Sequence, residues 1–463
     1  MPSHIIDYAL FGDQFSTPEI RAVFDERAMI QLWLDVEAAL AATQAELGII
    51  PAEAAESVAQ AAKVEQLDFA SLKKELGVTA HPLVPILRAL ARNAGTHGRW
   101  VHWGATTQDI LDTAMVLQLK QTHAILRRDL LGLVGVLCEL AGRHRDTVMA
   151  GRTHGQQALP ITFGFKVAVW IAECLRQVAR LEEIAPRLMT GQLAGAVGTL
   201  AGFGPLAEAV QRRTLERLGL GVPSIAWHAS RDVITEFVTL LALIGGTLAR
   251  IANEVIQLQR SEVMELEEPF AHGKVGSSTM PHKRNPSHAE RVVAIGRMLR
   301  GLAATALETM VAAHERDMSV GRAEWALVPE AACLGAAATH WTLVIARGMR
   351  VNVDRMQENL DRLGGLLLSE PVMLRLGLAM GRDAAHDRVY EAAMAAFEGK
   401  GRFRDLLMQD PEIATALSPD ELERLLQPAA YTGLAGAIVD RIVAEALRVT
   451  GQSERAASLK ARP

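Results

Sequence analysis

The chain is poor in cysteine, in aromatic residues and in hydrophobic runs long enough to cross a bilayer. Its three cysteines, Cys138, Cys174 and Cys333, are scattered and form no CxxC pair. That excludes a disulfide framework and a thiolate metal cluster, and leaves buried thiols of a reducing compartment. The longest uncharged apolar stretches are Phe237–Ala249 and Ala331–Thr342, the latter continuing to Ala346. Each falls short of the ~18–20 residues a membrane span needs, so no membrane partner is expected. The first residues, MPSHIIDYALFGDQFSTPEI, lack a basic segment followed by an apolar run. No secretion signal is read there, and the expected location is the cytoplasm. Neither sign of charge prevails: 48 Lys and Arg stand against 53 Asp and Glu, a net charge of −5. Nucleic acid is therefore not an expected partner, and an anionic small substrate would need a local basic pocket. With 3 tyrosines and 11 phenylalanines in 463 residues, there is little from which to build the alternation of strands.

What the chain has instead is helical periodicity. Leu240, Leu241, Ile244, Leu248, Ile251, Val255 and Leu258 fall three and four apart between Val233 and Met264, with Arg250 and Glu254 between them. The stretches Ile110–Arg145 and Ile161–Leu188 read the same way. Helices this long, apolar over wide faces, are expected to pack in a bundle, either within one large helical domain or against copies of themselves. A chain of this length is expected to divide. The expected domains are 1–108 (N-terminal, helical), 109–348 (central long-helix bundle, with a loop at 273–290) and 349–463 (C-terminal, helical). The tail from about 451 is read as disordered. Gly151 to Pro160 is a break in the central helical region, and short C-terminal helices are separated by Gly364-Gly365, Gly399 to Gly401, Pro411 and Pro419.

The most informative segment is Gly276-Ser-Ser-Thr-Met-Pro-His-Lys-Arg-Asn-Pro286, with Glu290 beyond it. A glycine-led loop opening a helix near Ser287 presents backbone N–H groups and a positive dipole end. Lys283 adds a charge and Asn285 an amide donor. Such a site binds a carboxylate, and a developing negative charge better still. The same Gly, Ser and Pro residues also compose an ordinary capped surface loop. His154, in Arg-Thr-His-Gly-Gln, is a candidate general acid, since histidine's unperturbed pKa of ~6.5 suits proton transfer near neutrality; taken alone, a histidine before Gly-Gln is more often a satisfied loop residue. No metal is expected, because His272, His282 and His288 lack ligand spacing and carboxylate partners, and no cofactor is implied.

The loop resembles the signature of the fumarase/aspartase superfamily, GSSxMPxKxNP with a glutamate five residues after the asparagine. Val101-His-Trp-Gly-Ala-Thr-Thr-Gln-Asp-Ile-Leu-Asp-Thr113 and Gly151-Arg-Thr-His-Gly-Gln156 resemble two further superfamily segments, in the right order. The likeness runs from near Gln14 to about Val443. It implies an all-α, three-domain fold whose long central helices form a tetrameric core, with each active site built from three subunits. It implies Ser277 as the base that strips a proton beside a carboxylate, Ser278 as its neighbour, Lys283 as a stabilising cation, and Glu290 as the group that orients His154. Met280, Asn285, Thr106, Thr107 and Thr153 are implied substrate contacts. His81 sits where adenylosuccinate lyases place a second active-site histidine, although a histidine ending a loop before a helix reads the same way. Asp109 and Asp112 read as capping or buffering groups.

Within the superfamily two branches compete. Glu315-Arg-Asp-Met-Ser319 and Gly195-Ala-Val-Gly198 resemble adenylosuccinate lyase. The nucleotide-holding segments of that enzyme are replaced: Gln14-Phe15 precedes Ser16-Thr-Pro-Glu19, and Val320-Gly-Arg-Ala-Glu-Trp325 and Ala226-Trp-His-Ala-Ser-Arg-Asp232 stand in for its other two. Losing basic and hydroxyl groups weakens phosphate binding. The replacements resemble 3-carboxy-cis,cis-muconate cycloisomerase, as does Leu425-Leu-Gln-Pro-Ala-Ala-Tyr431. That family usually has an aromatic residue where this chain keeps His154, which implies a leaving group that needs a proton. The expected reaction is reversible elimination of an amine from an N-substituted aspartate-type dicarboxylate, giving fumarate: a carbon–nitrogen lyase. Arg231 and Arg322, with Trp227 and His228, are expected to select the substrate. Cycloisomerisation is the second reading and adenylosuccinate cleavage the third. A non-enzymatic structural homologue is the fourth, against which stand the intact Ser277, His154 and Lys283.

Overall fold

The computed structural model describes residues 4–270, 273 and 275–451. His272 and residues 452–463, where the disordered tail was expected, lie outside that set. Helices make up most of the chain. Five of them, Thr107–Arg143, Phe163–Leu188, Asp232–Gln259, Ser287–Glu308 and Met318–Gly348, span 22 to 37 residues each. The three-four spacing read between Val233 and Met264 is realised in Asp232–Gln259. There Phe237, Leu241, Ile244, Leu248, Ile251, Val255 and Leu258 are all buried, each contributing about 1.5–3 kcal/mol on burial. This is also the one helix among the described residues long and apolar enough to cross a membrane, and 67% of its most apolar stretch is buried within the chain.

The chain divides into two compact units. The first comprises Met1–Asp129, Gln177–Ala249 and Ala294–His340. Its core is built from the N-terminal helices, with Trp33, Leu34, Val58, Leu83, Leu90, Ile110 and Ala114 in one cluster. Within it the helices 232–259 and 287–308 approach closely at two glycines: a Cβ on Gly296 would lie 2.9 Å from the Gly245 carbonyl oxygen and 2.8 Å from the Ala249 Cβ. The second comprises Leu130–Arg176, Arg250–Val293 and Trp341–Pro463, with a C-terminal core around Val372, Leu376, Phe403, Leu407 and Ile413.

Two antiparallel strand pairs accompany the helices among the described residues, and the larger one departs from the sequence reading. Val148–Thr153 pairs with Gln156–Thr162, where the sequence indicated only a break. The hairpin turns on His154 and Gly155, both left-handed at φ 52° and 76°, the geometry of a two-residue turn that matches strand twist. The register shifts between Ala150 and Arg152.

Candidate active site

The loop 276–286 is folded on itself. Gly276 lies so near the returning chain that a Cβ there would be 2.1 Å from the Lys283 carbonyl oxygen, so no other residue fits without moving the backbone. The Asn285 side chain donates to the Gly276 carbonyl at 2.8 Å, a brace inside the loop where a substrate contact was expected. The consequence falls on Ser277. Its Oγ accepts the backbone N–H of Met280 at 3.1 Å and that of Thr279 at 3.4 Å. Two dipoles thus converge on the oxygen that would carry charge as an alkoxide. Ser278, Met280 and Lys283 are exposed beside it.

The helix end beyond the loop does something other than expected. Glu268, buried, accepts from the N–H groups of His288 and Ala289 at 3.0 Å each, and from the Ser287 hydroxyl at 3.4 Å. The carboxylate held by the positive end of helix 287–308 is the chain's own. Glu290, on the first turn, is exposed, and within the chain it makes no hydrogen bond to His154.

His154 is carried at the hairpin tip, with Thr153 and Gln156 flanking it, all exposed. The strand below is anchored by Arg152, whose guanidinium grips the fully buried Glu265 through two bonds of 2.6 and 2.9 Å. Asn359 donates to the same carboxylate at 2.8 Å. The sequence reading missed this post, which fixes the direction of the tip.

Thr106 and Thr107 open the helix Thr107–Arg143. Asp109, fully buried, accepts four hydrogen bonds, from the N–H groups of Thr106, Ala194 and Gly195 and from His228 Nε2, all at 2.9 Å. It is therefore a cap that also ties three segments together. His81 stands over Thr107: Nδ1 accepts the Val84 N–H at 3.2 Å, which leaves the ring proton on Nε2, 3.4 Å from Thr107 Oγ1.

Two residues expected to select substrate do not present free groups. The Arg231 side chain is buried and bound by Asp112 at 2.8 and 3.1 Å and by Glu324 at 2.5 and 2.9 Å. Burial alone would lower its pKa, but the two carboxylates outweigh that and raise it. A guanidinium held this way is structural, which corrects its assignment as a substrate contact. His228 is likewise committed to Asp109. Arg322 is exposed. No group of three or more His, Cys, Asp or Glu is arranged around a metal position among the described residues.

Two family models match this chain, "Lyase" over residues 13–301 and "Adenylosuccinate lyase C-terminus" over residues 365–442. An N-acetyl-S-(2-succino)cysteine lyase of Dickeya dadantii is 44% identical across 96% of this chain and 98% of its own length. The chain belongs to the fumarase/aspartase superfamily of lyases. A 3-carboxy-cis,cis-muconate cycloisomerase of Pseudomonas aeruginosa is 39% identical over 94% of this chain and 96% of its own. The crystal structure of a fumarate lyase from Mesorhizobium sp. BNC1 superposes with a TM-score of 0.88 at 38% identity, covering 93% of this chain and 98% of the other. This superfamily member is thus a lyase.

Besides Glu265, Glu37 and Gln44 of the lyase went unread in the sequence. Glu37 Oε1 lies 2.6 Å from His102 Nδ1, and its Oε2 accepts the His102 N–H at 3.1 Å. Gln44 donates to the Trp103 carbonyl at 2.7 Å. Burial alone would lower the His102 pKa; the charge and hydrogen bond of Glu37, with Asp109 behind them, outweigh it and the pKa is raised. The available signal was two polar residues on an apolar helix face.

Proposed function

We propose that this lyase removes a heteroatom substituent from a succinyl group and releases fumarate, with Ser277 as base and His154 as acid. The observation that carries the reading is the Ser277 hydroxyl seated on the N–H groups of Thr279 and Met280 in a loop of superfamily sequence. As alkoxide, Ser277 takes a proton from the CH2 carbon beside one carboxylate. The electron pair collects on that carboxylate as an aci-carboxylate dianion, which Lys283 and the loop N–H groups stabilise. The pair then forms the C=C bond as the bond from the neighbouring carbon to the heteroatom breaks, and His154 protonates the departing atom. Thr106, Thr107 and Thr153 supply hydroxyls to the two carboxylates.

We take sulfur ahead of nitrogen as the departing atom. Two relatives named N-acetyl-S-(2-succino)cysteine lyase, each 44% identical over 96% of this chain, support a thioether substrate. An S-linked succinyl group and an N-linked one differ only at the atom that leaves, and a thiol, with a pKa of ~8.5, leaves more readily than an amine. The amine of an N-substituted aspartate is the second substrate. Cycloisomerisation is the other reading, favoured by the likeness of segment 226–232 and opposed by the retained His154. The active unit is a tetramer with sites shared among three subunits, and Glu290 meets His154 across that interface.

The test is fumarate formation, followed by ultraviolet absorbance, from an S-succinyl-N-acyl cysteine, an N-succinyl amino acid, adenylosuccinate and 3-carboxymuconate in parallel. The thioether is expected to turn over fastest, and Ser277→Ala to lower its kcat by about 10²–10⁴-fold with the fold intact. An unchanged rate in that variant removes the base assignment. Turnover of carboxymuconate alone replaces the elimination with the cyclisation.

A further inference from the structure

We propose that Glu37 and Gln44 are positioning residues for the carboxylate subsite at Thr106 and Thr107: together they hold the turn His102–Gly104 and so set where the two threonines stand. The proposal rests on the function proposed above.

The two side chains lie seven residues apart on the helix Glu26–Glu46. That is two turns, so they share one face. Both are buried, at 2% and 1% exposure, on a helix that otherwise turns Leu34, Leu40 and Ala41 inward. Placing a carboxylate and an amide in such a core is costly unless they are bonded. Their hydrogen bonds, among the described residues, go to one short stretch: Glu37 takes both the N–H and the ring Nδ1 of His102, and Gln44 takes the carbonyl of Trp103. The Gln44 side-chain amide oxygen is left buried without a partner. A core helix that gives two polar side chains to one turn is serving that turn.

The turn needs holding. His102 has φ 62° and Gly104 φ 81°, and the left-handed region strains a residue with a Cβ. Gly104 is also pressed against the 202–203 backbone, where a Cβ would lie 2.6 Å from the Gly202 carbonyl oxygen. Downstream, the Thr106 N–H is fixed on Asp109 and the Thr107 hydroxyl faces His81. The stretch is therefore pinned at both ends, upstream by Glu37 and Gln44, downstream by Asp109. Without the upstream pins the turn relaxes toward ordinary φ and carries Thr106 and Thr107 with it. Such a displacement weakens the grip on substrate in ground state and transition state alike, which raises KM and spares kcat.

The experiment compares full-length wild type with E37A, Q44A and the isosteric E37Q and Q44E in steady-state fumarate release from the succinyl thioether, alongside thermal unfolding. Expected is a KM rise of about tenfold or more in E37A and Q44A, with kcat within about threefold. E37Q keeps an acceptor for the His102 N–H and should lie between wild type and E37A. Q44E, which loses the donor to Trp103, should resemble Q44A. The isosteric pair decides the matter if the alanine variants do not fold. A merely structural role would lower the melting temperature and the active fraction while leaving KM at the wild-type value, and that result overturns the proposal. A wild type that releases fumarate from no succinyl compound instead overturns the functional reading itself, and is seen in the control before any variant is measured.

Discussion

An alcohol is a poor base in water because its alkoxide is so costly to form, and the surroundings of one oxygen must change that. For Ser277 as the proposed base the change is local: two backbone N–H groups aim at Oγ. At His102 it works over distance, with a glutamate from another helix holding the imidazole in its raised-pKa state. A group whose pKa is raised on folding stabilises the native state most below its unfolded value, near ~6.5, and loses that contribution as pH climbs through the folded value. His102→Asn keeps a side-chain donor and tolerates positive φ but does not titrate. The melting-temperature advantage of wild type over this variant is therefore expected to be largest near pH 6 and to shrink by pH 8.5; a difference independent of pH would refute the pairing. Residues of this kind divide by how local their partners are. The loop 276–286 was legible as a motif because its residues are contiguous in the chain, but that Asn285 braces it was not. Glu37 and Gln44 were not, because their partners stand 65 and 59 residues away, and a glutamate or glutamine in a helix looks like any helix former. Arg231 misled for the same reason: its charge is visible in sequence, but the two carboxylates that consume it are not.

At the scale of elements, helix spacing was the strongest signal, and the helix Asp232–Gln259 appears where the three-four pattern ran. The hairpin 148–162 escaped because its strands carry glycine and proline and little alternation, so their pairing depends on the turn at His154-Gly155 and on the Arg152–Glu265 anchor. Close helix packing was equally unannounced. Gly296 meets Gly245 backbone and Ala249 Cβ, contacts that cannot swing aside. Gly296→Ala is expected to destabilise by about 1–3 kcal/mol, despite alanine's better helix propensity, and thermal or denaturant unfolding will show it. A stabilised variant would mean the helices can part at no cost.

At the scale of the whole molecule, five long helices contribute residues to both compact units, and the proposed sites draw on several chains. Such sharing has a measurable signature. Ser277→Ala and His154→Ala proteins, each nearly inactive, are unfolded together in equal amounts and refolded. Sites that take serine and histidine from different subunits should then recover about a quarter of wild-type activity, one in four chance pairings being intact. No recovery would confine both residues to one chain. Family membership was legible in the three contiguous segments, because family-wide patterns are long; the contacts that set each segment's angle are not. The self-closed loop at Gly276 carries one more implication. Its brace and its N–H donors all come from within a dozen residues, so the serine brings its own solvent cage. If that alcohol is the base proposed above, the groups that ease its ionisation belong to the loop itself, and docking need only deliver it to the right carbon.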